Sequence, residues 1–305
     1  MRFRPKGAGR PLWRTLFGAL LAACLLLLFV YALEQGAFRS ILQDNTVPVP
    51  TEGQAGFALH MMDVGQAQAL LLTCGGKAAL VDTGLRDTAD EVADYLYRQG
   101  VRKLDYVFVT HPHSDHCGGA KDILAEVGAE TLVIPEYLSE EAALATAGDW
   151  VGETGIGIAI THAGETFSLG EAVITVLHPA AGNAIEDMND LSLVLRVEYG
   201  GKNLLLTGDI TSAVEESLLP LGHVDLLQVP HHGSGTSSSE AFLADITPDF
   251  ALISCGRNND YGHPHQNVVE RLEAAGAEIF RTDEQGIIVA RIREGKLTVT
   301  IENEK

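Results

Sequence analysis

The segment Thr110-His111-Pro112-His113-Ser114-Asp115-His116-Cys117-Gly118-Gly119 places three histidines and one aspartate within six positions. Neutral imidazole and carboxylate are good ligands for borderline divalent ions such as Zn²⁺ or Mn²⁺. The apolar run Leu104–Val109 directly before it reads as a buried strand. The four side chains would therefore sit on a tight loop at a strand end.

A metal site needs more than one loop, and four further clusters sit beside apolar runs. Asp82-Thr83-Gly84 ends one, Asn189-Asp190 precedes Leu191–Val197, and Thr207-Gly208-Asp209 ends Leu204–Leu206. Pro230-His231-His232-Gly233-Ser234 ends Asp225–Val229. An aspartate at a strand end is most often a cap or turn residue. Five clusters of ligand types, all at strand ends where α/β folds place their sites, are harder to assign to capping alone.

The elements that must position these groups are short. Residues 57–62, 69–73 and 77–81 read as successive strands, the last two joined by Gly75-Gly76. Helical spacing covers 87–98, and further helices are expected at 119–127 and 138–147. A strand is expected at 131–134. The second half gives strands at 157–162, 172–177, 191–198, 203–207, 224–229, 250–254, 277–281, 286–292 and 296–301, with helices at 211–219, 238–244 and 266–275. Residues 178–188 show no period and read as loop. The pattern fits an α/β class: two mixed sheets packed face to face with helices outside.

The N-terminus is a separate segment. Arg2, Arg4, Lys6, Arg10 and Arg14 lie in 1–14, and 15–33 carries no charge. About 20 such residues span a bilayer core. The basic flank sets residues 1–14 in the cytoplasm and the rest outside. A single-pass signal anchor is the expected form; a cleaved signal peptide and a lipoprotein signal at Cys24 also fit. Residues 34–56, with Pro48, Pro50 and Gly53, read as a linker to a domain at 57–305. Cys74, Cys117 and Cys255 are scattered, so no disulfide framework is expected. Six of the 21 Lys and Arg lie at or before Arg39, against one of the 41 acidic residues, which leaves the remainder near −25. Such a domain repels polyanions at long range.

From about residue 57 to 301 the chain resembles the metallo-β-lactamase fold superfamily, whose hallmark HxHxDH pattern is His111–His116. Asp63-Val64-Gly65-Gln66, Asn189 to Leu195, Leu206-Thr207-Gly208-Asp209, His231-His232-Gly233-Ser234 and Asn258 to His265 are similar to the C-terminal hydrolase domain of ComEC-type DNA-uptake proteins. The resemblance implies an αβ/βα sandwich and two divalent metal ions, Zn²⁺ or Mn²⁺. It implies that His111 and His113 hold one ion and that Asp115 and His116 hold the second. Asp209 would bridge them and His231 would complete the second. The third ligand motif falls on Asn189-Asp190: Asp190 is expected as ligand and Asn189 as a substrate contact, with His178 as rival. Asp63 and Asp82 are expected to orient the histidines from behind. Where relatives continue Gly-Gln-Gly-acidic, this chain has Gly65-Gln66-Ala67-Gln68.

Two such ions ~3.5–4 Å apart activate water and clamp a phosphoryl oxygen. Asp115 is expected to accept a hydrogen bond from that water, and His263 or His265 to assist the leaving group. Gly233 to Ser239, with Ser234 at its head, offers N–H groups and hydroxyls to an anion; Asn258 and His265 are further expected substrate contacts. The expected function is a membrane-tethered, extracytoplasmic two-metal phosphodiesterase, chiefly a nuclease acting on DNA. A small or cell-wall ester or phosphodiester is the alternative substrate, a β-lactam a remoter one, and a non-catalytic surface protein with a vestigial site the third possibility.

Overall fold

A computed structural model describes residues 56–136, 140–182 and 187–302, all within one compact unit, Glu52–Lys305. The expected basic segment, membrane span and all but the last residue of the linker lie outside the described residues. Among the described residues no helix is long and apolar enough to cross a membrane.

The chain begins with β1 (Phe57–Met61), β2 (Leu70–Cys74), β3 (Lys77–Val81), β4 (Leu104–Phe108), β5 (Ala129–Pro135) and β6 (Gly157–Thr161). It continues with β7 (Thr166–Leu169), β8 (Ala172–His178), β9 (Val194–Tyr199), β10 (Lys202–Leu206), β11 (Leu226–Gln228), β12 (Phe250–Ile253) and β13 (Glu278–Arg281). The last two strands are β14 (Ile287–Arg293) and β15 (Lys296–Glu302). The first sheet has the order β15-β14-β1-β2-β3-β4-β5-β6 and the second β13-β12-β11-β10-β9-β8-β7. Both are mixed: β3 to β6 run parallel in one, and β10 to β13 in the other.

The apolar runs are continuous because both faces of each sheet are covered. Leu70 and Leu72 pack between the sheets, whereas Leu71 faces the helices outside the first sheet. Leu204, Leu206 and Leu226 likewise enter the central layer, and Leu205 and Leu227 the layer beneath the helices of the second. The expected two-sheet sandwich with outer helices is what the described residues form.

Most expected elements appear within a few residues. The helix Glu140–Val151 runs later than expected, and a short helical turn, Ser114–Cys117, precedes Ala120–Glu126. Two elements had no visible signal. β7 is polar and mostly uncovered because it is an edge strand, and Thr282–Gln285 is a single helical turn. Cys74, Cys117 and Cys255 are free thiols, as expected.

The carboxyl ends of β3, β4, β10, β11 and β12 meet at one edge of the sandwich. A backbone bond pins the two sheets together there, Leu193 N–H donating to the Thr110 carbonyl at 3.0 Å; within the second sheet, His231 N–H donates to the Gly208 carbonyl at 3.1 Å.

Candidate metal centre

Asp82, fully buried just past β3, organises the centre. Its backbone turns into the left-handed region (φ 61°), which aims the carboxylate across the end of β4. Oδ1 accepts from Thr110 N–H at 2.7 Å. Oδ2 accepts from the Thr110 hydroxyl at 2.9 Å, Gln68 Nε2 at 2.8 Å and His116 Nδ1 at 2.7 Å. A carboxylate that takes the Nδ1 proton leaves the Nε2 lone pair of His116 facing inward, the arrangement a metal-binding imidazole needs. His232 is set the same way, its Nδ1 donating to the Ser254 carbonyl at 2.7 Å. Ser254 in turn donates its hydroxyl to the Ala67 carbonyl at 2.7 Å.

Asp209 reaches the same point from β10. Its N–H donates to Ser192 Oγ at 3.0 Å, and Ser192 Oγ also lies 3.2 Å from His111 Nδ1. Gly208 makes this approach feasible. It has φ +53°, and a Cβ there would lie 2.7 Å from the Ser192 Cβ and 3.1 Å from the Thr110 Cβ. Only glycine fits both the dihedral and the space.

Inside the cluster, His116 Nε2 is 3.3 Å from His232 Nε2 and 3.3 Å from Asp209 Oδ1. His232 Nε2 is 3.4 Å from Asp115 Oδ2 and 3.6 Å from Asp209 Oδ2. Asp115 Oδ2 to His116 Nε2 is wider, 4.0 Å. Four donors held ~2.0–2.2 Å from one tetrahedral centre are themselves about 3.3–3.6 Å apart, so the set matches a single divalent ion. Asp209 Oδ1 is buried with no hydrogen-bond partner, an acceptor that a cation would satisfy. Next to it, His111 Nε2 and His113 Nδ1 face each other at 3.0 Å, and His111 Nε2 lies 4.0 Å from Asp209 Oδ2. Asp209 thus stands between the pair His111 and His113 and the trio Asp115, His116 and His232.

The electrostatics ask for positive charge at this point. Burial alone would raise the Asp209 and Asp115 carboxyls. The imidazoles of His116 and His232 reverse that, leaving Asp209 well below its ordinary value and Asp115 at about 2. Burial pushes the imidazoles of His116 and His232 down, but Asp209, with Asp82 for His116 and Asp115 for His232, carries both above the usual histidine range. His111 lacks such close carboxylates, and burial followed by repulsion from His116 leaves it well below.

Several expected roles land elsewhere. Of the pair His231-His232, it is His232 whose Nε2 joins the four-donor cluster. His231 lines the adjoining cavity with Nε2 3.9 Å from Asp209 Oδ2. Asp190, expected as a ligand, points its carboxylate at Thr211, accepting from the backbone N–H at 2.8 Å and the hydroxyl at 3.1 Å. Thr211 caps the helix Ser212–Leu218, so Asp190 braces that helix start. His178 contacts the Asp190 carbonyl at 2.7 Å. Asn189 lines the cavity and holds a buried Oδ1 with no hydrogen-bond partner. Asp63, expected beside Asp82 behind the histidines, is exposed and accepts from Gly65 N–H at 3.4 Å, closing its own turn.

The serine-rich loop is the largest departure. The backbone N–H groups of Ser238 and Ser239 donate to the buried carboxylate of Glu215, and that of Gly235 to His265 Nδ1 at 2.8 Å. An internal anion occupies the place expected for a substrate phosphate. Ser234 bonds Thr236 (3.0 Å), Asn258 is an exposed turn residue with φ 54°, and His265 braces Gly235; none of the three lines the cavity. His263 does line it, yet burial followed by repulsion from His232 and His231 lowers it to about 4. Neutral at pH 7, it is a weak proton source. Gln66 fixes its ring, with Nε2 3.3 Å from His263 Nδ1 and Oε1 accepting from Gly256 N–H at 3.0 Å. The Gln68 departure also finds its reason: an ionised acid there could not donate to Asp82.

The cavity over the cluster has a volume of about 330 Å³. Gln66, His113, Ser114, Asp115, Asn189 and Tyr261 line it along with the residues already placed there.

A two-sheet sandwich carrying a histidine- and aspartate-built centre at its edge defines a metal-dependent hydrolase class. The chain matches the Metallo-beta-lactamase superfamily over residues 62–257 and belongs to that family. Within it, the chain is related to competence proteins. It is 34% identical over 202 residues to "ComE operon protein 3" of Bacillus subtilis, covering 65% of this chain and 26% of that one. It is 33% identical over 248 residues to "Recombination protein 2" of Haemophilus influenzae (78% and 29%) and 32% identical over 237 residues to "Competence protein ComA" of Neisseria gonorrhoeae (76% and 32%). The chain therefore spans about a third or less of these relatives' length. The fold is shared with the metallo-β-lactamase fold protein YhfI from Bacillus subtilis, at TM-score 0.53 and 15% identity, over 80% of this chain and 100% of that one.

Proposed function

We propose that the chain is a two-metal phosphodiesterase that cleaves DNA outside the cytoplasm, tethered by residues 15–33. The observation that carries this is Asp209: a buried carboxylate with an unpartnered oxygen, set between the pair His111 and His113 and the trio Asp115, His116 and His232. Those residues would hold two divalent ions, which supply a nucleophilic water and charge stabilisation for a phosphoryl group. Asn189 replaces Asp190 as the third-motif group turned to the site. Asp115, with a 29% exposed side chain, is open enough to orient an incoming water, and His231 and His263 flank the path of the leaving group. The competence-type relatives support the choice of DNA.

A small phosphodiester is the second reading, and a specific observation favours it. No lysine or arginine lines the cavity, and the domain is strongly acidic. The test is elemental analysis of the purified chain beside a panel of single-stranded DNA, double-stranded DNA, bis(4-nitrophenyl) phosphate and a β-lactam. Two equivalents of Zn or Mn with DNA cleavage are expected. Turnover of the small diester alone selects the second reading. Absence of metal with no turnover defeats both.

A further inference from the structure

Tyr261 is the most exposed large apolar side chain among the described residues, 69% accessible, and it stands at the cavity mouth. Single exposed apolar residues are ordinary, so exposure says little until the surroundings are added. The ring lies nearly parallel to His263, centroids 5.6 Å apart and planes 23° from each other. His263 in turn meets His265 edge-on at 4.9 Å. Together they form an aromatic step that leads from the metal cluster to solvent.

The step is held rigidly. Asn259 clamps its loop: Nδ2 donates to the Gly256 carbonyl at 2.9 Å and to the His263 carbonyl at 2.6 Å, and Oδ1 accepts from His263 N–H at 2.9 Å. Gly262 N–H closes the turn on the Asn259 carbonyl at 3.2 Å. A flat face on a fixed loop loses little freedom when a ligand covers it.

The rest of the site lacks the usual means of holding a nucleic acid. Phosphate contacts by lysine and arginine normally dominate such affinity, and none lines this cavity. At about 330 Å³ the cavity is near the small end of ligand pockets. A space of that size suits a phosphodiester and one flanking group, which would leave the neighbouring base outside, at Tyr261. Stacking a base on an aromatic side chain contributes roughly tenfold to a hundredfold in affinity and tolerates any base.

We propose that Tyr261 determines the specificity of the site by stacking the nucleobase next to the scissile phosphodiester, so that stacking takes the place of cationic contacts. The inference rests on the phosphodiesterase reading above. It sets the substrate class as a nucleotide diester or a strand end with an unpaired base, and it accounts for a polyanion substrate on an acidic domain.

The test uses the full chain with a short single-stranded oligonucleotide bearing 2-aminopurine, whose fluorescence falls on stacking. Tyr261→Ala should abolish the quenching and raise KM about tenfold with kcat within about twofold, and Tyr261→Phe should behave as the parent. An oligonucleotide abasic at that position should bring the parent to the KM of Tyr261→Ala. KM should change little between about 50 and 200 mM salt, where a lysine- and arginine-held strand loses several orders of magnitude. Unchanged KM and quenching in Tyr261→Ala overturn the proposal, as does a steep salt dependence. If Tyr261→Ala raises KM on the abasic strand as much as it does on the intact strand, the proposal is also overturned, since the ring would then be packing on sugar. Quenching by the parent without cleavage of any strand supports the platform while removing the phosphodiesterase reading, so the two fail separately.

Discussion

Among the described residues, two places gather three or more histidine and aspartate atoms within 4.8 Å of one another: Asp115, His116, Asp209 and His232, and on the far side His223, Asp225 and Asp249. Composition does not separate them; the state of their donor atoms does. In the second group, Asp225 is spent on Lys202 Nζ at 2.6 Å and on Asn203 N–H at 2.8 Å. His223 Nδ1 is taken by the Thr247 carbonyl at 2.9 Å, and His223 and Asp249 are exposed. Three of the first group are buried and Asp115 partly so, its outer imidazole nitrogens are bonded from behind, and its inner atoms face each other with one carboxylate oxygen unpartnered. Proximity makes a cluster; unspent inward donors make a site.

The largest expected effect breaks the bridge. Asp209→Ala should remove both metals from elemental analysis and reduce turnover to background, with a melting temperature insensitive to EDTA. Retention of two equivalents would show that Asp209 does not bridge. Next, the adjacent histidines should behave differently. His232→Ala should lose about one equivalent of metal, whereas His231→Ala should keep both and lose rate; equal stoichiometry in the two variants would erase the distinction drawn from their geometry.

Support from behind should matter less than the donors themselves. Asp82→Asn keeps shape but removes the charge that holds His116 Nδ1–H, and metal affinity should fall roughly tenfold to a hundredfold, as measured by chelator competition.

A buried histidine outside either cluster gives the pH arm. His60, bonded to the Tyr95 hydroxyl at 2.7 Å, is lowered to about 3 by burial and then by Arg291. The folded state keeps it neutral while the unfolded chain protonates it below ~6.5. Its contribution is therefore complete above ~6.5 and is lost as pH falls from there toward 3, at up to about 1.4 kcal/mol per pH unit. His60→Phe should flatten the denaturation-midpoint profile across that window; a profile parallel to the parent's would show that His60 is not the titrating group. The smallest effect is expected from His223→Ala, which should leave metal content and rate unchanged.

Much was legible along the chain. HxHxDH announced a metal loop, and continuous apolar runs such as Leu70-Leu71-Leu72 announced strands covered on both faces. What escaped shares one cause: it depends on where a side chain points once a turn is made. His231 and His232 both sit at positive φ, near 53° and 54°, so successive imidazoles diverge there and their order carries no sign of which faces inward. Asn189 and Asp190 diverge at a 3₁₀ turn in the same way. Glu215 stands 23 residues before the backbone amide of Ser238 that it satisfies, and no local pattern links them.

The sequence by itself determined the layers and the kinds of ligand, because apolar runs and donor chemistry are local properties. Only the tertiary structure decided the members of the centre and the aromatic step at its mouth. Five strand ends from two sheets must meet before any one carboxylate can be spent on a neighbour or left facing a cation.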